Sequence, residues 1–223
     1  MQPHLLIFDC DGVLLDSEAL SSQAWSEVLA RHGIDYDPVT LAERYSGYTD
    51  TMLARALAEE RGLVLPDDIV EQVLDRALAL FATDLRPIGG MPELLRRLPG
   101  PRCVASNSNR MRLRETLRMA GLSDFFAPEA VFSAQEVAKP KPAPDLHLYA
   151  ARTMGVPPER CLVIEDSVTG VEAARAAGIP VIGFLGASHS SPEQADLLLA
   201  AGAAAIAEDA AALGSLLPQT APA

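Results

Sequence analysis

Leu5-Leu6-Ile7-Phe8-Asp9-Cys10-Asp11-Gly12-Val13-Leu14-Leu15-Asp16-Ser17-Glu18 is the stretch on which the reading of this chain turns. Four apolar residues run straight into acids, the pattern of a short parallel strand that is buried on both faces. In an open α/β sheet the strand tips are where ligands bind. Asp9 and Asp11 stand two apart at this tip, and Gly12 lets the backbone turn sharply or approach a ligand closely. Taken alone, such a pair is equally well explained as two solvated loop acids.

Working outward, Cys103-Val104-Ala105, Cys161-Leu162-Val163-Ile164 and Val181-Ile182-Gly183-Phe184 are further runs of the same kind. Between them the spacing predicts helices. Met111–Ala120 places Leu113, Leu117 and Ala120 on one stripe before Gly121. Leu146–Met154 stops at Gly155, and Val168–Ala177 stops at Gly178 with Pro180 beyond. Strands alternating with helices make βαβ units, hence an α/β fold with a mostly parallel sheet. From about Ser17 to Ala82 the alternation fails. Helical patterns cover 17–32, 38–46, 50–61 and 66–83, and no strand is evident. The expected organisation is a core of residues 1–16 and 84–223 with a helical insert, 17–83, after the first strand. Gly89-Gly90 is read as the return hinge, and Pro218–Ala223 as a frayed end.

Composition narrows the function. The 223 residues carry 18 Lys+Arg against 30 Asp+Glu, a net charge of −12, with 49% apolar content. That is an ordinary globular composition and not a disordered one. No basic patch appears, so nucleic acid is not the expected partner. The longest apolar run, Leu197–Ala207, is eleven residues, against roughly 20 needed to span a bilayer. The start of the chain lacks the basic segment of a signal peptide. Cys10, Cys103 and Cys161 are far apart and odd in number, which suits free thiols in a reducing cytoplasm.

Three further strand or loop ends carry polar groups. Val163-Ile164-Glu165-Asp166-Ser167 again ends an apolar run in acids. If this strand neighbours the first, Asp9, Asp11, Glu165 and Asp166 converge. Like charges ~4 Å apart repel by about 4 kcal/mol at an effective dielectric of ~20, so the cluster needs a cation. Oxygen donors without His or Cys point to Mg²⁺. The competing explanation is that one of these acids caps the next helix. Val104-Ala105-Ser106-Asn107-Ser108-Asn109 ends in hydroxyls and amides before a helix, a ready anion site, although Ser108 or Asn109 also suits a plain N-cap. In Lys139-Pro140-Lys141-Pro142-Ala143-Pro144-Asp145, three prolines stiffen a loop that holds a lysine, or simply make a surface turn.

In this order and combination, the four segments resemble the haloacid dehalogenase superfamily over essentially the whole chain. The likeness is to its capped phosphatase branch, with β-phosphoglucomutase and 6-phosphogluconate phosphatase as similar members. The resemblance implies a Rossmann-like core with an inserted helical cap domain. It also implies an Mg²⁺-dependent phosphatase that forms an aspartyl-phosphate on a small phosphorylated metabolite, most simply a sugar phosphate. By resemblance Asp9 is the nucleophile and Asp11 the general acid/base. Ser106 binds phosphate, and Lys141 rather than Lys139 is the active lysine. The metal is held by Asp9, the Asp11 carbonyl, Asp166, and Glu165 directly or through water. Asp11 must start protonated, so its surroundings are expected to keep that proton near neutral pH. A cytoplasmic enzyme acting as a monomer or homodimer, without membrane or nucleic-acid partners, is expected.

The insert is expected to set substrate choice. Within Arg44-Tyr45-Ser46-Gly47-Tyr48-Thr49-Asp50, Gly47 permits close approach, and Arg44, Tyr48 or Thr49 is expected at the leaving group; an ordinary turn explains each equally. Asn107 either binds phosphate or shapes its turn. Cys10 is read as packing and His189 as a surface residue. The alternatives are a phosphosugar mutase, disfavoured because Ser21 stands where the mutase has a histidine, and a phospho-Asp signalling or binding module, disfavoured by the insert.

Overall fold

The computed structural model describes residues 3–45 and 47–217, so Ser46 and the end segment 218–223, read above as frayed, lie outside the described residues. Six parallel strands form one sheet: β1 (Leu5–Phe8), β2 (Arg102–Ser106), β3 (Val131–Ser133), β4 (Cys161–Glu165), β5 (Val181–Phe184) and β6 (Ala205–Ala207). Their order is β3-β2-β1-β4-β5-β6. The chain builds outward from β1 to β3 on one side, then returns to lay β4 on the other. The order therefore reverses at β1, and such a switch point is where open α/β sheets bind ligands. Phe8 pairs with Val104 on one side and Ile164 on the other. That register brings the residues after β1, β2 and β4 to a common edge.

Side chains alternate across β1. Leu5 and Ile7 belong to one apolar layer, with Leu146 and Ala150 of α7 (Asp145–Thr153) and Val171 and Ala174 of α8 (Val168–Ala176). Leu6 and Phe8 face the other, with Met91, Leu94 and Leu95 of α5 (Met91–Arg97), Leu113 and Leu117 of α6 (Arg110–Met119) and Leu213 of α10 (Ala210–Leu216). This second layer continues without a break into the insert.

The insert is four helices: α1 (Glu18–Arg31), α2 (Pro38–Tyr45), α3 (Asp50–Arg61) and α4 (Ile69–Asp84). Helix α1 ends at Gly33, whose φ of 76° suits a residue without a Cβ. Helix α4 starts three residues later than Pro66 suggested, because Pro66-Asp67-Asp68 makes a turn in which the Ile69 N–H reaches the Pro66 carbonyl at 3.1 Å. Trp25, Val28 and Leu29 of α1 are buried in the layer that also holds Val73, Ala77 and Phe81 of α4.

The two connections between insert and sheet run side by side. Leu15 bridges Pro87, the Asp16 N–H donates to the Arg86 carbonyl at 3.0 Å, and the Ile88 N–H donates to that of Leu14 at 3.0 Å. The return path is therefore residues 86–88. Gly89-Gly90, read above as the hinge, is instead the turn that starts α5, with Gly90 at φ 77° in the N-cap position.

Helix α5, strand β3, helix α9 (Pro192–Ala201), strand β6 and helix α10 carry no pattern that marks them in the sequence. Strands β3 and β6 are three residues each, too short to show a period. The long apolar run is divided by Gly202 at φ 109° between the end of α9 and β6. Among the described residues no helix is long and apolar enough to cross a membrane. All three cysteines are free and buried, Cys10 within the apolar layer.

Leu29 is fully buried where α1 meets α4. Leu29→Ala is expected to lower the unfolding free energy by about 2–5 kcal/mol through lost transfer energy and the cavity left behind. A urea midpoint equal to that of the parent would refute this packing.

Candidate active site

The acids after β1 and β4 do converge. The Asp9 N–H donates to the Ile164 carbonyl at 3.0 Å, which extends the ladder one residue and sets Asp9 beside Glu165. Asp9, Glu165 and Asp166 are buried, and a carboxylate oxygen of each lies within 4.8 Å of the others. Lys141 reaches into this cluster. Its ammonium, only 2% exposed at the residue level, lies 2.8 Å from Asp9 Oδ1 and also pairs with Glu165 Oε1. Lys139 is exposed, so the lysine register inferred from the resemblance is the one that reaches the acids.

One cation does not balance three acids. Burial pushes the Asp9 carboxyl well above its usual value against the pull of Lys141, with Glu165 and Asp166 adding to the rise. Glu165 is raised for the same leading reason. Lys141 is raised too, because Asp9 and Glu165 outweigh its own burial. The residues fit a further positive charge. Asp166 Oδ2 is buried with no hydrogen-bond partner, a costly state for a charged oxygen. Glu165 is already engaged by Lys141 and by the Ser167 hydroxyl at 3.2 Å. Asp166 and the second oxygen of Asp9 are therefore the freer donors. An oxygen-only set suits a hard divalent cation.

Neither Glu165 nor Asp166 caps α8. Ser167 does, its Oγ accepting from the Gly170 N–H at 3.0 Å. Both acids are thus left for the cluster. Glycines make room for them. A Cβ on Gly12, at φ 81°, would collide with the Asp166 carboxylate, and one on Gly170 with that of Glu165.

Asp11 behaves differently from the expectation above. Its carboxylate turns away from the cluster. Oδ1 accepts from the Ser17 hydroxyl at 2.5 Å and Oδ2 from the Ser108 hydroxyl at 2.6 Å. Arg112 Nη2 lies 3.4 Å from Oδ1. Burial alone would raise this carboxyl. Arg112 and the two hydroxyls outweigh burial and hold it below the usual carboxylate value. These surroundings thus favour the ionised form of Asp11 over the protonated form expected above. Ser17, whose position suits an N-cap of α1, spends its hydroxyl on Asp11 and makes no cap bond.

Arg112 was not singled out in the sequence. A charged residue in a polar helix is ordinarily solvated, and nothing local marks it. It is nevertheless 6% exposed and joins the sheet side to three insert helices. Nη2 donates to Ser21 Oγ of α1 at 2.7 Å, Nη1 stands 3.7 Å from Asp50 Oδ2 of α3, and the guanidinium lies 5.2 Å from the Phe81 ring of α4. Asp50 also accepts from the Trp25 indole N–H at 3.0 Å. Ser21 is therefore committed to Arg112.

At the tip of β2, Ser106 is buried, and its Oγ accepts from the Ser108 N–H at 3.0 Å. Asn109 caps α6, taking the Arg112 N–H at 2.9 Å, so Ser108 is released for Asp11. Asn107 is spent on backbone. Its amide exchanges hydrogen bonds with the Lys141 N–H at 3.0 Å and the Lys141 carbonyl at 3.2 Å. It also donates to the Gly47 carbonyl at 2.9 Å. It thereby aims the lysine and ties the insert loop to the sheet edge. Gly47, at φ 78°, packs so closely that a Cβ would lie 2.7 Å from Ser167 Oγ.

Asp9, Asp11, Ser106, Asn107, Lys141 and Asp166 line one cavity, roofed by Gly47, Tyr48 and Thr49 of the insert. Thr49 also caps α3, accepting from the Met52 N–H at 3.1 Å. Arg44 is not brought in. It turns outward to Glu60 at 2.8 Å because that acid and the Tyr36 hydroxyl are nearer partners. Two further residues are brought in unannounced. His189, read as a surface residue, is mostly buried with Nε2 3.6 Å from Asp166 Oδ2. Glu18 lines the cavity, its carboxyl pushed up to about 7 by burial and by Asp11 and Asp166.

A family profile described as haloacid dehalogenase-like hydrolase matches residues 3–178. The chain is 31% identical over 188 residues to 6-phosphogluconate phosphatase of Escherichia coli (strain K12), covering 84% of this chain and 85% of that protein. It is 32% identical over 180 residues to fructose-1-phosphate phosphatase YqaB of the same organism, covering 79% and 94%. Among solved structures it resembles a conserved haloacid dehalogenase-like protein of unknown function from Agrobacterium tumefaciens str. C58. That match has a TM-score of 0.82 and 38% identity over 96% of both chains.

Arg112→Met keeps length and removes the buried cation. Asp11 and Asp50 are then left without their charge partner. We expect a stability loss of about 3–5 kcal/mol in urea unfolding, the usual cost of orphaning buried charges. We also expect an upward move of the Asp11 carboxyl titration, followed by carbon NMR. An unmoved Asp11 would show that the hydroxyls, not Arg112, hold it ionised.

Proposed function

This chain belongs to the haloacid dehalogenase-like hydrolase family and is a phosphoric monoester hydrolase of that family, and we propose that it hydrolyses a small sugar phosphate with Mg²⁺ as cofactor and Asp9 as nucleophile. Lys141 Nζ held 2.8 Å from Asp9 inside the buried acid cluster is the observation that carries this reading. A carboxylate that attacks a phosphate must be ionised and must not repel it. Lys141 favours the ionised form of Asp9 and offers positive charge to the phosphoryl oxygens. Bound Mg²⁺ would supply two more positive charges to offset the acids and stabilise those oxygens. Asp9, Asp166 and, directly or through water, Glu165 would hold it, with the Asp11 carbonyl as the fourth protein group.

In the proposed sequence, an Asp9 oxygen bonds to phosphorus as the bond from phosphorus to the sugar oxygen breaks. The leaving oxygen takes a proton from the Asp11 carboxyl. Water then attacks phosphorus, passes its proton to Asp11, and releases orthophosphate with Asp9 restored. With its carboxyl held below the usual value, Asp11 suits the second step. To act as the acid of the first, it has to part from Arg112 and take up a proton. Ser106 and the N–H groups ahead of α6 suit the transferring phosphate. We read residues 17–83 as a cap domain over a core of 1–16 and 84–223. In that reading Gly47, Tyr48 and Thr49 close the site over the substrate.

Phosphate release measured over a panel of sugar phosphates tests the proposal. Turnover is expected with Mg²⁺ and is expected to vanish with a chelator and return on adding Mg²⁺. Asp9→Asn is expected to lose at least about a thousandfold in kcat, as removal of a covalent nucleophile does. Retained turnover in that variant would remove Asp9 from the nucleophile's role.

A further inference from the structure

We propose that the cavity selects phosphomonoesters whose leaving group is an uncharged polyol and discriminates against leaving groups that carry a second anion, a carboxylate or another phosphate. The inference rests on the phosphatase reading and goes beyond it to the class of alcohol released.

The charge inventory of the cavity carries the argument. Its lining includes five acids, Asp9, Asp11, Glu18, Asp50 and Asp166, against two cations, Lys141 and Arg112. Lys141 is spent at the phosphate end on Asp9 and Glu165. Beyond the phosphate, Arg112 is the one cation among the lining residues, and it is already matched. Asp11 at 3.4 Å, Asp50 at 3.7 Å and Ser21 at 2.7 Å surround its guanidinium. The insert itself adds no Lys, Arg or His to this lining, and two of the groups that it adds are Glu18 and Asp50. Arg44, the cation of the roofing loop, is held outside by Glu60 at 2.8 Å. A second anion on the substrate would therefore meet carboxyl groups, while both cations that line this cavity, Lys141 and Arg112, are already paired. Like-charge juxtaposition of that kind is how sites reject wrong partners.

Hydrogen-bond polarity points the same way. Asp50 in its ionised form only accepts, and Glu18 in either form offers no positive charge. The Glu18 side chain, which lines the cavity, has no hydrogen-bond partner among the described residues. A sugar hydroxyl supplies a donor to the Glu18 carboxylate. A carboxylate or phosphate supplies only more acceptors. Trp25 and Leu41 complete this end with apolar surface suited to the carbon face of a sugar.

The test compares matched pairs: glucitol 6-phosphate against 6-phosphogluconate, and fructose 1-phosphate against fructose 1,6-bisphosphate. The uncharged member of each pair is expected to have a kcat/KM higher on the order of 100-fold. Equal or inverted ratios would overturn the inference. Calorimetric binding of the same four compounds to the Asp9→Asn protein, with Mg²⁺ present, gives the ranking without turnover. If no compound is hydrolysed but the polyol phosphates bind more tightly, the phosphatase reading falls and the selectivity stands. Asp50→Asn retains the acceptor for Trp25 while removing one charge beside Arg112. It is expected to narrow the ratio about tenfold, chiefly by improving the anionic member. A ratio unmoved by this change would overturn the assignment of selectivity to Asp50 and Arg112.

Discussion

Mutual repulsion among acids at one edge of a parallel sheet is the constraint around which this molecule is arranged. Asp9, Glu165 and Asp166 are brought together by the pairing of β1 with β4 and are shut away from water. Burial makes their repulsion large and makes any positive charge near them valuable. Lys141 answers part of it. Its reach depends on a stiff proline-rich loop and on Asn107, whose side-chain amide grips the lysine's own backbone. The glycines at 12 and 170 answer the steric half of the problem by leaving space for the carboxylates. An arrangement so costly to a resting fold is well suited to chemistry in which a phosphate and a cation must be held together.

A second electrostatic balance, built on Arg112, sits above the first. It joins the sheet side to the insert through Ser21, Asp50 and Phe81, and it holds Asp11 ionised. The same guanidinium thus links insert position and the protonation of the proposed acid/base. Paired with Asp11 and Asp50, it is not free for an anionic leaving group. Packing and site chemistry are not separable here, because the apolar layer under Leu6 and Phe8 runs on into α1 and α4.

The alternation of strands and helices, the helical insert after the first strand, and the acids at two strand tips were legible in the chain. Each rests on short-range pattern: apolar runs ended by acids, and stripes ended by glycine. Short β3 and β6 escaped, since three residues carry no period. Lys141 over Lys139 came from the resemblance and not from the residues. Arg112, His189 and Glu18 carried no local mark distinguishing them from solvated surface charge.

What the sequence by itself determined is therefore the architecture and three of the four acids expected to converge, Asp9, Glu165 and Asp166, because successive strand tips of a parallel sheet share an edge. What only the tertiary structure decided is the state and direction of those groups. Asp11 meets an arginine 101 residues away, Lys141 meets an aspartate 132 away, and Asn107 meets a loop 60 away. Charge state, free hydrogen-bonding capacity and orientation depend on such distant partners, and those partners exist only once the chain has folded.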